Sequence, residues 1–169
     1  MASVASRRRR LALGVPAAIV LAGCGFELRR APEMRFQRVQ LSGFGSKSPL
    51  AQELRQSIDA SPDTRVVEGV AQAQVVLEAL ADSRERSVVA YTSTGLVREV
   101  QLRARLSFRL RTAGGRELIA PTDILQLREL SYNEGIALAK QHEEAIQFKA
   151  MQSDIVAQVI RRLAAVPAL

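Results

Sequence analysis

Apolar and polar residues alternate almost without a break between Val100 and Arg111. The apolar set is Val100, Leu102, Ala104, Leu106, Phe108 and Leu110, and the polar set is Gln101, Arg103, Arg105, Ser107, Arg109 and Arg111. Because successive side chains of a strand point to opposite faces, this period of two predicts a strand of an antiparallel sheet. One face of that sheet would be covered and the other would meet water.

The chain after this strand is typical of a hairpin. Gly114-Gly115 suits a tight turn, since glycine accepts positive φ at both positions. A return strand is predicted from Arg116 to Tyr132. Its apolar phase slips, because Leu125 and Leu127 share one face whereas Leu130 and Tyr132 share the other. A β-bulge near Arg128 would reconcile the two halves.

Two further strands are predicted upstream. Residues 35–41 alternate imperfectly and indicate a first strand. Residues 66–80 are apolar and partly β-branched, and Gly69 divides them. The main strand of this region is expected from about Gln72 to Tyr91, followed by a turn at residues 92–95.

Two helices complete the pattern. Ser48 is a suitable N-cap with Pro49 at the first helical position. The apolar residues Leu50, Leu54 and Ile58 then recur every four positions, as on one face of an amphipathic helix. A longer helix is predicted from residue 134 or 135 to Ala165, on the spacing of its apolar residues Ala145, Phe148, Ile155, Val159 and Leu163.

The element order is therefore β-α-β-β-β-α, which predicts an α+β fold. We expect a two-layer sandwich, in which two helices cover one face of a four-stranded, mainly antiparallel sheet. A single domain would occupy residues 35–166.

The N-terminal segment has the pattern of a lipoprotein signal. Arg7–Arg10 precede an apolar run from Leu11 to Ala22, which ends in Leu21-Ala22-Gly23-Cys24. We interpret residues 1–23 as the signal peptide, Cys24 as the acylated residue and residues 24–34 as a tether. A transmembrane helix is disfavoured, since the run is shorter than a bilayer requires. A plain secretory signal with an incidental cysteine is the other alternative.

Composition narrows the function classes. The net charge of +7 includes four arginines of the signal, so the mature chain is only mildly basic and nucleic acid is not indicated. Cys24 is the only cysteine, which excludes an intrachain disulfide. The chain has no tryptophan and few other aromatic residues, so a surface for stacking bases or sugars is not indicated.

Candidate catalytic chemistry is scarce. The single histidine, His142, lies in a polar stretch, and the adjacent Glu143 and Glu144 would point in different directions on a helix. No phosphate-binding loop or metal-ligand spacing occurs in the sequence. We expect no enzyme activity, no cofactor and no metal.

The chemistry that remains is the basic side of the alternating strand. Arg103, Arg105, Arg109 and Arg111 share one face, with Arg98 and Arg116 near the ends. Arginine suits phosphate and carboxylate groups, so one hypothesis is contact with a phosphorylated amphiphile or an acidic protein wall. The other, favoured on sequence alone, is a solvated face whose arginines pair with carboxylates, for which the candidates are Glu78, Glu99, Glu117 and Glu129.

Three stretches resemble the family of lipopolysaccharide-assembly outer-membrane lipoproteins. They are the opening Cys24-Gly25-Phe26-Glu27-Leu28-Arg29, the helix start at Ser48-Pro49-Leu50, and the last helix with Ala137-Leu138-Ala139-Lys140, Glu143, Lys149, Met151 and Ile160-Arg161-Arg162-Leu163. The combination, which spans the mature chain, carries the resemblance.

The resemblance implies a lipid-anchored plug within the β-barrel that inserts lipopolysaccharide into the outer leaflet. It implies the barrel, lipopolysaccharide and the membrane as partners, and an outer-membrane location facing the periplasm. A family lysine falls on Lys149, whereas a family cation of the middle strands falls near Ser93 and Thr94, with Arg98 as the nearest basic residue. The alternative is an accessory scaffold of general barrel assembly or a peptidoglycan-associated module.

Overall fold

The computed structural model describes residues 33–133, 135 and 137–168. The predicted signal peptide (residues 1–23), Cys24 and the tether up to residue 32 lie outside the described residues. The elements, in chain order, are β1 (Arg38–Ser42), α1 (Pro49–Asp59), β2 (Arg65–Val67), a 3₁₀ turn (Val70–Gln72), β3 (Val75–Tyr91), β4 (Val97–Thr112), β5 (Glu117–Ser131) and α2 (Ala137–Ala164).

The sheet of the described chain has five strands in the order β2-β1-β3-β4-β5. β1 is parallel to both β2 and β3, whereas β4 is antiparallel to both β3 and β5. The α+β class is confirmed, but the expectation of four mainly antiparallel strands in the order β-α-β-β-β-α is wrong. The extra strand is β2, whose three residues are too few to show a period of two. The 3₁₀ turn carries the chain from β2 to β3 on the other side of β1.

Local sequence explains the start of α1. The Ser48 Oγ accepts a hydrogen bond from the Ala51 backbone N–H at 3.2 Å, and Pro49 takes the first helical position. The N-cap therefore satisfies one of the free N–H groups of the first turn. The predicted stripe of Leu50, Leu54 and Ile58 is buried.

Both helices cover one face of the sheet. The apolar residues of β4 from Val100 to Leu110 are buried, as the alternation predicted. Those from Leu102 to Leu110 form one core with the buried side of α1 and with a set of α2 residues, namely Met151, Ile155, Val156, Val159, Ile160 and Leu163. We call this face of the sheet the covered face and the opposite one the open face.

The predicted β-bulge near Arg128 is wrong. β4 and β5 pair in unbroken register from Glu99 with Ser131 to Phe108 with Thr122, and two irregularities follow, between Thr122 and Ile119 and between Ile119 and Glu117. Pro121 lies in the first of these intervals and has no N–H to donate to a ladder. With the register unbroken, Leu125 and Leu127 lie on the open face.

Candidate functional site: the open face of the sheet

Four of the predicted site residues come together on the open face. Arg103, Arg105, Arg109 and Arg111 alternate with the buried residues of β4, so all four project away from the helices. Side chains two apart on a strand are about 6.5–7 Å apart. The arginines therefore form a column along β4 on the open face, which we call the arginine column.

Carboxylates flank this column. The cross-strand register places Glu78 opposite Arg109 and Glu85 opposite Arg103 on one side. On the other side, Glu117 lies opposite Arg111, Asp123 opposite Ser107 and Glu129 opposite Gln101. The open face is therefore a pattern of mixed charge rather than a uniformly basic surface.

Glu78 pairs with the two arginines at the C-terminal end of the column. Its Oε2 accepts from Arg109 at 2.9 Å and from Arg111 Nε at 3.4 Å. The hydrogen bond from Arg109 is the main cause that lowers the pKa of Glu78; partial burial opposes this shift, and Arg111 adds to it. One carboxylate thus restrains two arginines.

The other two arginines differ from each other. The Arg105 Nη2 donates to Asp123 Oδ1 at 2.9 Å, an acid that sequence analysis did not select. Arg103 is exposed and, within the described part of the chain, makes no ion pair or side-chain hydrogen bond. Its guanidinium is the one in the column that is available for an external anion.

Two exposed leucines of β5 lie beside the N-terminal half of the column. Leu125 lies opposite Arg105 and Leu127 opposite Arg103, and their exposed fractions are 50% and 42%. The slip in apolar phase along β5 is the sequence signal for these exposed leucines, although the same slip also predicts a bulge. Cationic and apolar groups therefore lie side by side on the open face.

Arg98 and Lys149 do not join the column. The alternation of β4 places Arg98 on the same side as Val100, towards the covered face. Lys149 is exposed on α2, in the helix layer on the other side of the sheet. Any contact through Lys149 is therefore made on a different side of the domain from contacts through the arginine column.

A polar connection between the layers was not predicted. Gln152 of α2 is buried, donates to the Pro49 carbonyl at 3.1 Å and also hydrogen-bonds Glu53 and Arg84. Arg86 of β3 pairs with Glu144 of α2 at 3.1 Å and lies 5.2 Å from the centre of the Tyr132 ring. These contacts fix α2 against α1 and the sheet.

Other sites offer less chemistry. A cleft of about 290 Å³ lies between the loop after β1 and α1, lined by Phe44, Ser46, Ser48, Gln52 and Arg55 among others. In the residues that the structure describes, no three His, Cys, Asp or Glu side chains are grouped as metal ligands. Neither described helix has the length and apolar character needed to cross a bilayer.

In the described residues, the domain has one sheet face covered by helices and one open, charged face, so the chemistry it offers lies on a surface rather than in an enclosed site. The sequence matches the lipopolysaccharide-assembly model LptE over residues 36–163. The chain belongs to this family. Membership implies a non-catalytic outer-membrane lipoprotein that works with the lipopolysaccharide-transport barrel.

Solved structures agree with this assignment. The solution structure of a lipoprotein B from Nitrosomonas europaea is 29% identical, with a TM-score of 0.71, and the match covers 83% of this chain and 91% of that one. The rare lipoprotein B from Shewanella oneidensis (23% identity, TM-score 0.64, 76% and 95% covered) and a minor lipoprotein from Acinetobacter baumannii (16%, 0.63, 79% and 94%) share the fold. No curated protein matches the sequence.

Proposed function

We propose that this chain is anchored through an acylated Cys24 to the periplasmic leaflet of the outer membrane. There it plugs the lipopolysaccharide-inserting β-barrel, supports assembly of that barrel and binds lipopolysaccharide. The observation that carries the proposal is the family match over residues 36–163. The basic and apolar leader that ends at Cys24 supports the anchor.

The open face is the proposed contact surface for anionic groups. Arginine binds phosphate and carboxylate groups through two parallel hydrogen bonds. Arg103 provides an available guanidinium, and Leu125 and Leu127 beside the column provide apolar surface for an acyl chain. This combination suits a phosphorylated amphiphile or the wall of a barrel with acidic residues.

Lys149 is proposed as a second contact, independent of the first. A plug is surrounded by the wall of its barrel, so a single side chain on its helix side can also meet the partner. Arg98, at the N-terminal end of β4, is a third candidate. The separate positions of these residues allow their contributions to be tested one at a time.

The binding test compares two triple variants. Arg103, Arg105 and Arg109 are changed together to Ser, and a control changes Arg55, Arg161 and Arg162, which lie in the helix layer. Both variants lose the same charge. A hydrogen bond to a charged group contributes about 1.5–3 kcal/mol, and about 1.4 kcal/mol is a factor of ten in affinity.

We therefore expect the open-face variant to weaken binding to purified lipopolysaccharide and to the barrel by at least about tenfold. The control should bind almost as the unchanged protein does, and added salt should weaken unchanged binding. Lys149→Glu should also weaken binding. If the open-face variant and the control bind alike, the arginine column is ordinary solvated surface.

Two measurements test the wider proposal. Purification of the tagged chain from detergent-solubilised membranes should recover a very large β-barrel protein, and recovery of the general barrel-assembly machinery instead would contradict the plug function. The intact mass of the mature protein should include acyl groups on Cys24, and Cys24→Ala should abolish them. A mature mass without acyl groups would reject the anchor.

A further inference from the structure

The outer edge of β5 has no neighbouring strand in the described part of the chain. The Tyr132 N–H donates to the Arg98 carbonyl at 2.8 Å, which fixes the phase of the β4–β5 ladder. In an antiparallel pair, residues alternate between those that bond the neighbour and those that point away from it. The odd-numbered residues from Asp123 to Ser131 therefore direct their N–H and C=O groups outwards.

The same odd-numbered residues carry the exposed apolar side chains of β5, Leu125 and Leu127. Pro121 limits this open edge at one end, since it has no N–H to offer a further strand. A long edge with exposed apolar residues is suited to pair with another strand. The available segment is Thr122–Ser131.

We propose that this edge pairs with the β5 edge of a second copy of the chain, antiparallel about a two-fold axis through Leu127. In this register each Leu127 faces its equivalent, Ile124 faces Leu130, Leu125 faces Glu129, Gln126 faces Arg128 and Asp123 faces Ser131. No two like charges are opposite each other. All outward backbone groups between Asp123 and Ser131 gain a partner.

Charge complementarity selects this register over its neighbours. An axis at Gln126 places Asp123 opposite Glu129, and an axis at Arg128 or Glu129 places that residue opposite its own equivalent. An axis at Leu125 brings Pro121 into the paired segment. Like charges directly opposite each other destabilise a sheet, so the axis at Leu127 is favoured.

One side chain crosses the edge. The Arg128 guanidinium donates to the Leu127 carbonyl at 3.0 Å and to Asp154 of α2 at 3.2 Å. Arg128 is exposed, and in the proposed register it lies opposite Gln126 of the second copy. It can therefore exchange the Leu127 carbonyl for the amide oxygen of that glutamine while it keeps Asp154. The pairing of the two edges would form between chains that are not enclosed by a barrel, and it does not rest on the proposed function.

The test uses residues 31–169, which form a compact unit and contain no cysteine. Sedimentation over a dilution series should give the mass of two chains at high concentration and of one chain on dilution. Leu127→Lys places two lysines opposite each other and should weaken the dimer by up to about fivefold. The matched control Leu125→Lys places lysine opposite Glu129 and should strengthen it.

Cross-linking tests the register directly. Leu127→Cys should form a disulfide between copies, since paired Cα atoms at such a position are about 5.5 Å apart. Leu125→Cys should not, because equivalent residues would be about 13 Å apart along the strands. A single-chain mass at every concentration would overturn the proposal, as would equal effects of the two lysine variants or cross-linking only at residue 125.

Discussion

Gly43 follows β1 at the point where the chain turns towards α1, and its replacement by alanine tests a close approach between the backbone of this turn and that of β3. Its φ is +77°, a conformation that costs alanine about 1–2 kcal/mol. A Cβ at this position would also lie 2.1 Å from the Ala79 carbonyl oxygen, which belongs to the backbone of β3 and cannot rotate away. β1 and β3 must therefore separate, or the turn must be rebuilt.

We expect Gly43→Ala to lower the free energy of unfolding by about 3–5 kcal/mol, the range of the severest single substitutions. Two other glycines separate the causes. Gly95 has φ +84° with open space around it, so Gly95→Ala should cost only the conformational part, about 1–2 kcal/mol. Gly45 has neither constraint, so Gly45→Ala should stay within about 1 kcal/mol.

Urea unfolding, with the helical circular-dichroism signal as readout, measures all three variants, and equal slopes would show that the same surface is exposed on unfolding. If Gly43→Ala costs no more than Gly95→Ala, the close approach to Ala79 does not exist in solution, and the reasoning is refuted.

Two further predictions concern the layers of the sheet. Leu106→Asp should destabilise the fold by several kcal/mol, because Leu106 is fully buried in the core; Leu127→Asp on the open face is its control, and equal unfolding midpoints would refute the assignment of faces. Glu78 has a folded pKa below its ordinary value of 4.5, so its ion pairs stabilise the fold above that pH and lose this contribution as the pH falls through the folded pKa. Unfolding at a series of pH values should show the gap in stability between wild type and Glu78→Gln to be widest near neutral pH and to close on acidification; a gap independent of pH would contradict the pairing.

The sequence predicted those elements whose pattern is repeated enough to be unambiguous. Along β4, six apolar residues alternate with six polar ones, so only one assignment of buried and exposed faces was possible. The Ser48-Pro49 cap and the spacing of Leu50, Leu54 and Ile58 defined α1. β2 was missed because three residues carry no period. The phase slip of β5 predicted a bulge near Arg128, whereas the register shifts lie between Glu117 and Thr122 and leave Leu125 and Leu127 exposed.

The site was predicted only as far as one strand can define it. Alternation along β4 was enough to bring the four arginines to one face. The carboxylates that restrain them depend on the register of β3 and β5, so Glu78 could be named only as one of several candidates and Asp123 not at all. The separation of Lys149 from the arginine column depends on which side of the sheet α2 covers, which is a tertiary property.

The arginines that form ion pairs within the fold are the same ones that are proposed to bind anions. Glu78 holds Arg109 and Arg111, and Asp123 holds Arg105, so an anion that binds these side chains must displace a carboxylate already in place. Exposed pairs contribute only about 0–1 kcal/mol, which a phosphate held by two parallel hydrogen bonds can exceed. The acidic flanks thus lower the cost of placing like charges about 7 Å apart without closing the column to a stronger anion. Glu78→Gln therefore separates the two roles, since it should weaken the fold near neutral pH and strengthen the binding of anionic ligands.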